Sequence, residues 1–151
     1  MLALVAGACT PAAAQPASST QTPAASGSAE SSPAELTRSS EGGGVQVAVT
    51  WNRTQATDTL VFEVGLNTHS GSLDGYDLSE LATLRNSRGQ VVRPTKWESA
   101  PGGHHRAGTL VFPARDEAGQ SLTGAGVSYV ELVLRDVAGV KERVLRWELT
   151  G

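Results

Sequence analysis

Several things are scarce in this chain, and each scarcity closes off a class of protein. Cys9 is the single cysteine, so no disulfide can form within the chain. Met1 is the single methionine, and it shares the first nine residues with Cys9. A thioether-rich Cu(I) site is therefore excluded from the rest of the chain, and so is a blue-copper site, which needs a thiolate. No apolar run reaches the ~18 residues that span a bilayer. Basic residues are scattered and the formal net charge is −3, so there is no phosphate-tracking stripe and no nucleic-acid partner is expected. The nucleophile elbow GxSxG, the phosphate loop and the dinucleotide fingerprint are all missing, and the reading is of a protein that is not an enzyme.

What is present begins with a short apolar leader, "MLALVAGAC". An apolar core followed by small residues is the pattern of an export signal. The run "AGAC" resembles the lipobox of bacterial lipoproteins, with Ala6 at the position where leucine is usual. The resemblance implies that Cys9 is lipidated and anchors the chain in a membrane, on the periplasmic or extracytoplasmic face of the cell envelope. From residue 10 to residue 41 the chain is rich in Ala, Ser, Pro and Thr, with no aromatic residue. Such a segment buries too little apolar surface to offset the entropy of ordering it, and it reads as a disordered tether. Its root-mean-square span would be roughly 30 Å. Residues 1–9 are thus read as leader, 10–41 as tether and 42–151 as one domain.

All the aromatic residues, three Trp, two Tyr and two Phe, lie beyond residue 50. About 110 residues suffice for one modest core. Apolar residues alternate with polar ones in "VQVAVTW" and "LVFEVGL", the period of two expected of half-buried strands. "LATLRN", "VVRPTKW", "GTLVFP", "YVELVLRD" and "ERVLRWEL" complete a set of seven. "DVAG" at 136–139 marks a tight hairpin between the last two. Asp77 is placed to cap a short helical turn. No long segment has a helical period. Seven short antiparallel strands predict an all-β domain, an immunoglobulin-like β-sandwich.

The stretch "PGGHHRAG" places two of the three histidines side by side, His104 and His105. If successive strands alternate in direction, the loops carrying His69 and Asp74, His104 and His105, and Asp136 fall at one end of the sandwich. Adjacent strand residues point to opposite faces, so two neighbouring histidines converge only where the backbone leaves strand geometry. Gly102 and Gly103 allow that departure. Three imidazoles with a carboxylate suit a divalent transition metal, Cu(II) first and Zn(II) second. The candidate ligands are His69, His104, His105 and Asp74. A calcium site on Asp74, Asp77 and Glu80 is the weaker reading, because the spacing is not that of an EF-hand loop. By architecture and histidine count the domain is similar to small periplasmic copper-handling sandwiches. That resemblance implies a carrier, sensor or accessory subunit. The alternative is a metal-free interaction module that docks an envelope protein partner through the same loop end, and it would show an exposed apolar patch there.

Overall fold

The computed structural model describes residues 36–53 and 58–149. Every described residue falls in one compact unit. Cys9, the leader and residues 10–35 lie outside the described residues.

Among the described residues nine strands and one short helix follow in the order β1 (Thr37–Gly42), β2 (Val45–Asn52), β3 (Thr59–Thr68), α1 (Leu78–Leu81), β4 (Ala82–Asn86), β5 (Val91–Val92), β6 (Lys96–Ser99), β7 (His105–Pro113), β8 (Tyr129–Val137) and β9 (Val140–Glu148). They form two antiparallel sheets, one ordered β1-β2-β3-β7-β6 and the other β5-β4-β8-β9. The domain is a two-sheet β-sandwich.

Two differences from the sequence reading account for nine strands where seven were expected. Residues 37–41, counted with the tether, belong to β1, which pairs with β2 from Thr37↔Thr50 to Gly42↔Val45. β1 reads TRSSEG and carries no apolar alternation, so only its pairing reveals it. Polar composition of this kind suits a sheet edge. The second difference is at "VVRPTKW", which is two strands in two different sheets. Pro94 has no N–H to give to a ladder, and it falls where the chain leaves β5 and crosses to β6.

The core is what the alternation predicts. Val45, Val47, Val49 and Trp51 of β2 and Leu60, Phe62, Val64 and Leu66 of β3 are buried, facing Leu132 and Leu134 of β8 and Leu145 and Trp147 of β9. Trp51 stacks on Phe62 at 5.6 Å, and Phe62 meets Trp147 at 5.3 Å and Phe112 at 5.8 Å. The Trp147 indole N–H donates to the Leu36 carbonyl at 2.7 Å, which pins the start of β1. The guanidinium of Arg143, 2 % exposed, donates to the carbonyls of Gly42 (2.6 Å) and Val137 (3.4 Å) and ties β1 to β9.

The hairpin read at "DVAG" is present. Val137 pairs with Val140, and the turn residues Ala138 and Gly139 both have positive φ, 54° and 72°, as a two-residue hairpin requires. Asp77 caps α1 by accepting the Ser79 N–H at 2.9 Å.

Candidate functional site at the histidine loop end

Strand registers fix which loops meet. Gly42 pairs with Val45, Val45 with Thr68, and Asn67 with His105, so these residues share one end of the sandwich. Thr37 stands at the other end, where the chain enters the domain. The "GGHH" backbone is cross-linked to the segment after β3. The Thr68 N–H donates to the His104 carbonyl at 2.9 Å, and the Leu73 N–H donates to the Gly103 carbonyl at 2.7 Å. Tyr76 reaches the β8–β9 turn, where its hydroxyl accepts the Ala138 N–H at 3.1 Å. The predicted convergence of these three loops is therefore present in the backbone.

The two glycines are needed for different reasons. A Cβ on Gly102 would stand 2.1 Å from the His105 carbonyl oxygen, so the turn closes too tightly for any side chain. Gly103 has open space around it but a φ of +61°, a conformation that L side chains rarely adopt.

Two charged side chains complete the clamp. The Asp74 carboxylate accepts the N–H groups of Gly102 (2.8 Å) and Gly103 (3.2 Å) and the Ser72 hydroxyl (3.1 Å). The Gly102 N–H above all, with further help from Gly103, Ser72 and the Arg106 charge, outweighs the effect of burial and holds this carboxyl below the usual carboxylate range. Arg106 donates from one guanidinium nitrogen to the carbonyls of Leu73 (3.0 Å), Asp74 (3.2 Å) and Tyr76 (2.6 Å), and from Nε to the Ser99 hydroxyl (2.9 Å). Its guanidinium carbon stands over Trp97, 5.6 Å from the ring centroid.

On this scaffold His69, His104 and His105 are all exposed. His105 and His104 have ring centroids 4.4 Å apart. His105 Nδ1 lies 2.8 Å from Asn67 Oδ1. An amide oxygen only accepts, so Nδ1 carries the proton in the neutral ring and the Nε2 lone pair is left for a ligand. His69 and His105 line one open groove of about 640 Å³, together with Glu41, Gln46 and Asn67. Glu41, Gln46, Asn67 and His105 are successive cross-strand neighbours in register, and the Gln46 amide donates to the Glu41 carboxylate at 3.0 Å.

The structure thus brings His69 to the same groove as His105 and sets His104 against His105. It turns the Asp74 carboxylate onto the glycine N–H groups. Asp77 is engaged with Ser79, whose hydroxyl hydrogen bond, followed by its N–H, lowers the carboxyl pKa. Among the described residues no group of three or more His, Cys, Asp and Glu is gathered as a metal-holding cluster. Sequence reasoning missed Asn67, Arg106 and Glu41. Arg106 directly follows the histidines and was visible as a neighbour. Asn67 and Glu41 join the site only through strand register.

Fold and site define an antiparallel β-sandwich with a hydrogen-bonded, histidine-bearing loop end. No family model matches the chain, and no curated protein matches it. Two solved structures show a low similarity. One is MPT63, a secreted protein from Mycobacterium tuberculosis, at 16% identity and a TM-score of 0.42, covering 74% of this chain and 91% of that one. The other is a DUF4426 family protein from Pseudomonas aeruginosa PAO1, at 7% identity and a TM-score of 0.40, covering 74% of this chain and 93% of that one.

Proposed function

We propose that this protein is an exported, lipid-anchored carrier, sensor or accessory subunit. In this reading its loop end binds a divalent transition metal, Cu(II) ahead of Zn(II). The observation that supports it is the hydrogen bond between His105 Nδ1 and Asn67 Oδ1 on a backbone clamped by Asp74 and Arg106. Metal-ligating histidines are commonly oriented in this way by a partner on the second ring nitrogen. His69, exposed on the same groove, is the second ligand, reached by rotation of its side chain. His104 is the third candidate. Asp74 positions the loop. Few-ligand nitrogen and oxygen sites suit Cu(II), which is why copper is placed first. Strand order puts β2, β3, β7 and β6 in one sheet and β4, β8 and β9 in the other, with β1 and β5 as added edge strands, which supports an immunoglobulin-like topology.

The anchor reading rests on the leader alone. The described chain enters the domain at β1, whose first residue Thr37 stands at the end opposite the histidines. If Cys9 is lipidated, Cys9→Ser would release the protein from membranes in soluble form.

The experiment is electron paramagnetic resonance of the full chain, purified without a His-tag, with one equivalent of Cu(II) at pH 7.5. Nitrogen hyperfine structure from two or more imidazoles is expected, falling by one nitrogen in His105→Ala and in His69→Ala. Absence of nitrogen hyperfine structure would end the copper reading. Docking through the same end is the less supported alternative. The large exposed apolar residues among those described are Val91 and Val144, and neither lies at the loop end.

A further inference from the structure

Val91 and Val144, 58 % and 44 % exposed, share the outer face of the second sheet. Val91 pairs with Arg85, Val144 with Val133, and Val133 with Thr83, which places all of them on the side away from the core. Most of the charge on this face is mutually satisfied. The Glu131 carboxylate, nearly buried, accepts from Arg85 at 2.6 Å and from Arg146 at 2.8 Å.

One corner is different. Beside Val91 a groove of about 680 Å³ is lined by three arginines from three elements, Arg93 after β5, Arg115 after β7 and Arg135 on β8. All three are exposed. Arg93 makes no hydrogen bond or ion pair among the described residues. Arg115 donates to one backbone carbonyl, that of Gly119, and Arg135 reaches Glu142 only at 3.6 Å. Each guanidinium has five N–H donors in a fork that matches a carboxylate, so most of this donor capacity is unused. Two acids also line the groove, Asp116, held by the Gln90 amide (2.8 Å) and the Gln120 N–H (2.8 Å), and Glu117, so the three arginines outnumber the carboxylates by one. Val91 and Pro113 add apolar surface beside them. β5 is a sheet edge, with β4 on one side only. Unpaired edge backbone accepts an extended chain, with alternate side chains on one face.

We propose that this groove docks an extended acidic segment of a partner protein, its carboxylates held by Arg93, Arg115 and Arg135 and an apolar side chain seated on Val91. An inorganic anion would use the arginines and leave Val91 uncovered. The groove is separate from the histidine loop end, and its occupancy does not depend on metal.

The test uses fluorescence anisotropy of the full chain with a labelled ten-residue peptide alternating Glu and Val. A Lys and Val peptide and phosphatidylglycerol vesicles are the comparison arms. The acidic peptide should bind at low salt and weaken as salt rises. Arg93→Glu and Arg135→Glu should each weaken it by roughly tenfold or more, consistent with loss of a charge-assisted pair and a new repulsion. Arg93→Lys should fall between, because it keeps charge and loses the fork. Arg88→Glu, on a surface arginine outside the groove, should leave binding within about twofold. Arg93 has no partner to lose, so its variants should melt with the parent and report docking alone. Absence of acidic-peptide binding at low salt overturns the proposal. So does undiminished binding in Arg93→Glu, and so does Arg93-dependent binding of vesicles without binding of the peptide.

Discussion

Gly102→Ala should be among the most damaging single-methyl additions in the molecule. The new Cβ would meet the His105 carbonyl oxygen at 2.1 Å and the Arg106 Cα at 2.9 Å, both backbone atoms that no rotamer change can move. An ordinary C···O contact is about 3.3–3.6 Å, so the backbone at His105 must retreat by roughly 1 Å. Overpacking of this sort costs about 1–3 kcal/mol. The retreat also strains the His105 N–H to Gly102 carbonyl bond (3.1 Å) and the Gly102 N–H to Asp74 bond (2.8 Å), each worth on the order of 1 kcal/mol net. The expected loss is about 2–4 kcal/mol, or roughly 10–25 °C in melting temperature for a domain of this size. Gly103→Ala meets no atom within 4 Å and suffers only the left-handed backbone, about 1–2 kcal/mol. Urea unfolding followed by tryptophan fluorescence measures both. A Gly102→Ala variant within about 0.5 kcal/mol of the parent, or less destabilised than Gly103→Ala, would refute the close-packed loop.

Three further outcomes follow from the same coordinates. Removing residues 1–42 instead of 1–35 deletes β1 and with it the Leu36 carbonyl bonded to Trp147 and the Gly42 carbonyl bonded to Arg143. The longer deletion should be less stable by at least about 2 kcal/mol in urea unfolding, since it also bares the β2 edge. Arg143→Met keeps the buried stem and removes the guanidinium bonds to the Gly42 and Val137 carbonyls, so a loss of about 1–3 kcal/mol is expected in thermal unfolding. For Glu131, burial pushes the carboxyl up, but hydrogen bonds and charge from Arg85 and then Arg146 outweigh it and leave the folded-state pKa lowered. A lowered folded-state value means stability that is present above the unfolded pKa, near 4.5, and lost as pH falls below it. Glu131→Gln should flatten that acid limb of a melting-temperature profile.

Much of the architecture was legible because seven segments alternate strictly and place the right residues inside. Val45, Val47, Val49 and Trp51 needed no structure to be assigned to a core face. β1 was not legible, since TRSSEG has no apolar signal and is held by partners from β2 and β9. Pro94 was in plain view within "VVRPTKW", and its missing N–H is the reason that the two halves belong to different sheets. At the loop end, strand parity sufficed to put the loops that carry His69, His104 and His105 at one end of the sandwich. The role of Asp74 was not legible. A carboxylate near histidines reads as a ligand until its oxygens are seen to accept the Gly102 and Gly103 N–H groups. Asn67 was hidden for a related reason, because only the Asn67↔His105 register puts its amide on the imidazole.

The central claim is that the clamped loop end binds a divalent transition metal, and a melting scan of the untagged full chain with and without Cu(II) or Zn(II) tests it most directly. With metal about 100-fold above its dissociation constant, linkage predicts roughly 2.7 kcal/mol of stabilisation. That corresponds to a rise on the order of 10 °C at pH 7.5. Ligation needs unprotonated imidazole, so the rise should shrink at pH 5.5. His105→Ala should abolish most of it, and His69→Ala should do the same if the groove is one site and not a local His104–His105 chelate. No rise with either metal at pH 7.5 would contradict the claim.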